Sequence, residues 1–168
     1  MFRMMITAVS LLATGPALAL SCMVPNLAET YNRLNDAPDV YVLGLGTLSA
    51  TEDLPPEQRD ANGMGQPRTA SFAFDGAFMS VNGLGLPRTV PVEVTTGCAA
   101  SWCGTFPTED QKHLVFLRQT SDTGFALEIS ACGGPMQSDP TEDQINAIKQ
   151  CMRDGGCGPE QIEALSLF

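Results

Sequence analysis

The chain has 168 residues, 43% of them apolar and 17% charged, and its 9 Lys+Arg against 19 Asp+Glu give a net charge of −10. Such a length suits about one domain, and the composition is too apolar for a disordered chain. Lys112 and Lys149 are its only lysines. So acidic a chain makes a poor general binder of nucleic acid, whose affinity comes mostly from cations on phosphates, and it is repelled by anionic membrane surfaces.

Residues 1–19 begin Met-Phe-Arg, continue with an apolar stretch from about Met4 to Ala13, and end Gly15-Pro16-Ala17-Leu18-Ala19. One positive charge, a short apolar core and an Ala17-x-Ala19 ending predict a secretory signal peptide cut before Leu20. The competing reading, a buried first helix, is opposed by Gly15-Pro16. Removing Arg3 with the leader takes the net charge from −10 to −11, and no apolar run of the mature chain reaches the roughly 18 residues of a membrane span. A lipoprotein signal acylated at Cys22 is the rival, but Leu20 and Ala19 fit it poorly, and it leaves an odd number of cysteines. All six, Cys22, Cys98, Cys103, Cys132, Cys151 and Cys157, follow the predicted cut. An even count in an exported chain reads as a framework of three disulfides. Zinc knuckles and redox pairs ask for Cys-x-x-Cys, and the chain has none.

Asn26 before Leu27-Ala28-Glu29 is a helix start, and Leu27, Tyr31 and Leu34 follow on one face of a helix over 27–35, which Pro38 ends. Val40-Tyr41-Val42-Leu43 opens a strand to about Leu48, where Gly44 and Gly46 suggest a bulge or sharp coiling. Residues 50–67, with their prolines, glycines and charges, read as an exposed loop. Phe72, Phe74 and Phe78 share one parity and read as core, with Asp75-Gly76 a turn or bulge between two strands and Asn82-Gly83 a turn after them. Val90, Val92 and Val94 alternate in another strand, where Pro91 argues for an edge position or a strand start. His113–Leu117 and Phe125–Ile129 are buried strands around a Ser121–Gly124 turn. A helix follows, predicted to start with Asp139 as its N-cap, Pro140 at N1 and Glu142 at N3 and to end at Gly155-Gly156; a last helical turn opens at Gly158-Pro159. Five strands, one coiled through glycines, between a short helix and a C-terminal helix predict a mostly β chain with a five-stranded OB-like barrel. The predicted divisions are a signal peptide over 1–19, the barrel domain over 20–135 and a helical extension over 136–168.

Cys103-Gly104, Lys112–Phe116, Gly124 and Cys132 resemble the netrin-module superfamily, the domains of tissue inhibitors of metalloproteinases and their bacterial relatives. Cys22-Met23-Val24-Pro25, a short helix and Ala37-Pro38-Asp39-Val40-Tyr41-Val42 are similar to the front of those domains. The resemblance covers roughly Cys22 to Cys132. It implies an OB-like barrel with its N-terminal segment stapled to it, and a Cys22–Cys132 bridge if Cys22 matches the family's second cysteine. Leu20 then stands where the inhibitors place the half-cystine whose amine ligates the protease zinc, so the resemblance does not carry inhibition with it. Cys103 loses its partner, for which Cys98 is the local substitute, and Cys151 pairs with Cys157 around Gly155-Gly156. Cys22–Cys103 with Cys98–Cys132 stays open as the alternative.

Little else in the sequence carries chemistry. His113, the only histidine, cannot supply a zinc triad, and no Gly-x-Ser-x-Gly elbow accompanies it. A thiol–imidazole pair with Cys98 or Cys103 competes with the disulfide reading. Trp102 is either a recognition aromatic or packing over a disulfide. The Gly-x-Gly units at 44–46, 63–65 and 83–85 lack a phosphate-binding fingerprint. Glu52, Asp53, Glu57 and Asp60 lack the spacing of a Ca²⁺ loop and read as solvated charge. The sequence therefore predicts a periplasmic or secreted, non-enzymatic module without a cofactor, acting by protein–protein contact, with Leu20, Ser21 and Trp102 as contact residues. A metalloprotease inhibitor, an oligosaccharide-binding OB module using Trp102 and a small secreted thiol enzyme are the alternatives.

Overall fold

A computed structural model of the chain describes residue 22 and residues 26–165. The segment predicted as a signal peptide, Leu20 and Ser21 lie outside the described residues. The elements are α1 (Leu27–Asn35), β1 (Tyr41–Ala50), β2 (Arg68–Ser80), β3 (Gly83–Leu84), β4 (Arg88–Thr96), β5 (Cys98–Ala99), β6 (Trp102–Cys103), β7 (His113–Gln119), β8 (Phe125–Ile129), β9 (Met136–Ser138), α2 (Glu142–Asp154) and α3 (Pro159–Ala164). The five long strands pair in the order β1-β2-β4-β8-β7, and β7 pairs back onto β1 to close a barrel. Every pairing in it is antiparallel except β4 with β8. Where β8 leaves β7, β9 takes its place against His113–Val115. Mostly β, with a closed five-stranded barrel, a short helix near the start and a helix near the end, is the fold that the strand periodicities predict.

The strands alternate as their sequences require. Leu48, Phe72, Phe74, Val92, Val94, Val115, Leu117, Phe125, Leu127 and Ile129 fill the barrel. Phe78 joins this core by stacking on Phe74, with ring centroids 5.6 Å apart. The opposite faces of β1 and β7 are buried too, because the helices cover them. Leu43, Leu45, Leu114 and Phe116 pack with Leu27, Ala28 and Leu34 of α1 and with Ile145, Ile148 and Cys151 of α2. Burial on both faces explains why residues 113–117 read as a continuous apolar run.

Two asparagines, one within α1 and one capping it, clasp the C-terminal segment. Asn32 donates from Nδ2 to Cys157 O (2.9 Å) and accepts from Cys157 N at Oδ1 (2.7 Å). Asn26 caps α1 by accepting from Ala28 N and Glu29 N, and donates to Ile162 O.

The structure revises three local readings. Asp75-Gly76 is not a turn: β2 runs unbroken past it, in register with β1 from Gly44↔Phe78 to Ala50↔Phe72. The strands instead coil tightly where Gly46 faces Gly76, and a Cβ on Gly46 would lie 2.6 Å from Gly76 Cα. Pro91 is not on an edge strand, since β4 has β2 on one side and β8 on the other. The ladder to β8 begins only at Val92, so Pro91 precedes it and keeps its place without breaking it. The helix after the barrel is capped by Thr141 rather than Asp139. Thr141 Oγ1 accepts from Gln144 N and Gln144 Oε1 from Thr141 N, a reciprocal capping box. Asp139, at φ 46°, instead ends the β7–β9 pairing by donating its N–H to Lys112 O.

Candidate functional site

Strand directions put three connections at one end of the barrel: residues 51–67 between β1 and β2, residues 97–112 between β4 and β7, and residues 130–135 after β8. The second carries a small hairpin. Cys98 faces Cys103 and Ala99 faces Trp102 across β5 and β6, and a disulfide joins Cys98 to Cys103. Ala100, at φ 55°, turns the chain between them. The hairpin stands on a narrow neck: Gly97 N donates to Ile129 O (2.7 Å), and Gly104 N donates to Gly97 O (2.9 Å). A Cβ on Gly104 would lie 2.7 Å from Ile129 O, which gives the Cys103-Gly104 pair a physical reason.

The 51–67 loop braces this hairpin. Gly65 donates its N–H to Ala100 O (2.8 Å), and a Cβ on it would sit 3.0 Å from Cys98 Sγ. The loop is itself structured. Asp60 accepts from Asn62 N and Met64 N, and Arg59 pairs with Gly65 and donates to Gly63 O. Arg68, at the foot of β2, donates to Pro55 O and Gly104 O and lies over the Phe106 ring, tying both connections together. Glu109 reaches back to accept from Ala50 N (2.9 Å). On this braced frame Trp102 is 67% exposed.

The third connection receives the N-terminal segment. Cys22 is bonded to Cys132 in the turn closed by Ser130 and Gly133. That anchor and Trp102 belong to the same end of the barrel. The bridge occupies Cys22 Sγ, the atom a lipoprotein thioether would use. The third bridge, Cys151–Cys157, closes the C-terminal end of α2.

Other candidates fall into structural roles. His113 is fully buried; Nε2 lies 3.2 Å from Thr108 O and Nδ1 3.2 Å from Ser138 Oγ. A carbonyl only accepts, so Nε2 carries the proton and Nδ1 takes the serine's hydrogen bond. All six cysteines are described and none is free. Among the described residues no three His, Cys, Asp or Glu side chains gather to hold a metal ion, and no helix is long and apolar enough to cross a membrane. The face over β2 and β4, where OB barrels bind oligonucleotides and oligosaccharides, holds a groove of about 450 Å³ lined by Thr51, Ser71, Thr89, Glu93, Thr120 and Phe125 among others. Its described lining offers no cation and no exposed aromatic ring. A cavity of about 470 Å³ lies between the end of α1 and the turn after β8, where Arg33, Tyr41, Glu128 and Cys132 line it. Trp102 lines neither.

No family model, no curated protein and no solved structure matches the chain. Three disulfides are those of an oxidising, extracytoplasmic compartment, and they make this a disulfide-stapled small module.

Proposed function

We propose that the chain is an exported, periplasmic or secreted, non-enzymatic module of the netrin/inhibitor type that acts by protein–protein contact through the end of the barrel bearing Trp102. The observation that carries this reading is the 67% exposure of Trp102 on a hairpin cross-linked by Cys98–Cys103 and braced by Gly65. A large, rigid aromatic side chain held in water is an efficient anchor, because little conformational freedom is lost when it enters a partner's pocket. The Cys22–Cys132 bridge anchors Cys22 at the same end, and in this reading Leu20 and Ser21, the two residues before it in sequence, belong to the contact.

An enzyme reading finds less support: the imidazole is buried between two hydrogen-bond partners and each thiol is in a bridge. Tight inhibition of zinc proteases is not expected either. Leu20 and Ser21 precede the first disulfide and are not themselves locked by one; ordering two backbone residues costs roughly 2–4 kcal/mol, which is about 30- to 1000-fold in affinity.

The test is a photo-crosslinking amino acid at position 102, compared with one at Ala73 on the β2–β4 face, in protein exported by its own host. A discrete protein adduct from position 102, and none from position 73, is expected. Adducts only from position 73 would replace this reading with the groove-binding one, and saturable changes in Trp102 fluorescence with oligosaccharides would replace it with an oligosaccharide-binding module that uses Trp102.

A further inference from the structure

The opposite end of the barrel carries a different surface. There the β2–β4 connection reads Val81-Asn-Gly-Leu84-Gly-Leu86-Pro87, and Val81, Leu84 and Leu86 are 54%, 46% and 89% exposed. From Gly76 to Val92 the chain carries no Asp or Glu, although it has 19 in all. Arg88 stands at the base of this tip, its guanidinium 4.4 Å from the centre of the Phe78 ring.

The tip is ordered from within. β3 folds back on β2, with Met79 facing Leu84 and Ser80 facing Gly83. Gly85 N donates to Phe78 O (2.9 Å). Ser80 Oγ donates to Gly83 O and accepts from Asn82 N. Backbone groups paired inside the hairpin are what a segment needs before it enters an apolar phase, where an unpaired one is costly.

We propose that this tip is a shallow membrane-docking wedge, with Val81, Leu84 and Leu86 entering the interface of a zwitterionic phospholipid surface and Arg88 meeting its phosphates. Three observations favour that occupant. The tip is aliphatic and exposed, and a fluid bilayer receives such side chains without a preformed pocket. A second copy is a poor occupant: three aliphatic side chains from each tip fall well short of the roughly 1,000 Å² that a specific interface needs. Charge selects the lipid. The tip is free of carboxylates and offers one guanidinium, whereas the chain as a whole is at −10 and Asp122 in the β7–β8 turn shares this end, so an anionic surface repels what a zwitterionic one accepts. This proposal does not depend on the reading of Trp102, which lies at the other end of the barrel.

The test is co-sedimentation of the oxidised mature protein with phosphatidylcholine vesicles at millimolar lipid, repeated with one third phosphatidylglycerol. Weak, saturable binding to phosphatidylcholine is expected, lower with phosphatidylglycerol. The double variant L84S/L86S is expected to lose about tenfold or more of it, from the apolar transfer of two leucines. R88Q is expected to bind phosphatidylcholine more weakly than wild type, and W102A as well as wild type. Because both leucines are exposed, L84S/L86S keeps the wild-type melting temperature, which separates lost docking from lost folding. Wild-type protein that stays in the supernatant, or L84S/L86S that sediments as well as wild type, would overturn the proposal. So would capture of a partner protein through the same leucines without vesicle binding.

Discussion

Substituting Gly46 by Ala probes the crossing on which the barrel's curvature depends. The new Cβ would lie 2.6 Å from Gly76 Cα, and backbone on the facing strand cannot rotate away as a side chain does. Relief requires β1 and β2 to separate around Gly46↔Gly76, while β1 is also held to β7 at Gly46↔His113. Overpacking costs about 1–3 kcal/mol, and two weakened ladder hydrogen bonds add about 1 kcal/mol each. The expected loss is about 3–5 kcal/mol, or roughly 6–20 °C in melting temperature for a chain of this size. Gly85→Ala is the control. Its Cβ would meet only Phe78 O at 3.5 Å, ordinary contact, so its stability should stay within about 0.5 kcal/mol of wild type or rise slightly through the unfolded chain. Thermal unfolding of the oxidised proteins, followed by circular dichroism, reads both. Equal melting temperatures for the two variants would refute the close crossing of β1 and β2.

Three further outcomes are expected. Replacing Cys22 and Cys132 by Ala should destabilise more than replacing Cys98 and Cys103, because their sequence separations are 110 and 5; chain entropy gives about 4.7 kcal/mol for a loop of ~100 residues and roughly 2 for the short one, and denaturant melts compare them. Asn32→Ala should cost about 1–3 kcal/mol in the same melts, since it removes both hydrogen bonds to Cys157 and leaves buried backbone groups to find new partners. Trp102→Ala should leave stability within about 0.5 kcal/mol, as expected of an exposed side chain, while abolishing the proposed partner contact.

The sequence was most legible where one side chain carried one message. Alternation in Phe72, Phe74, Val92 and Val94 gave the barrel's interior, and Leu27, Tyr31 and Leu34 gave the covered face of α1. It was least legible where the message lay between distant residues. Asp75-Gly76 has turn chemistry, but Gly76 is there to let Gly46 approach, a fact that only the β1–β2 register contains. Asp139-Pro140 has the chemistry of a helix start, yet Asp139 is held by Lys112 O and the reciprocal Thr141–Gln144 pair takes over the cap. At the candidate site, Trp102 was visible as an aromatic beside a cysteine. Its exposure was not, because the hairpin's surroundings, Gly65 of a loop some 35 residues away among them, leave no local signal in sequence. The Asn32 clasp on Cys157 likewise leaves no local signal.

The proposed module is exported, and its cysteines all serve to hold the proposed contact end and the helical cover in place. Intact mass of the protein recovered from its own host, with and without alkylation in denaturant, tests this most directly. The expected result is a chain beginning at Leu20, lighter by six hydrogens than its reduced form, that takes up no alkylating reagent until it is reduced. A cysteine that alkylates without reductant, or a diacylglyceryl mass on Cys22, would contradict it.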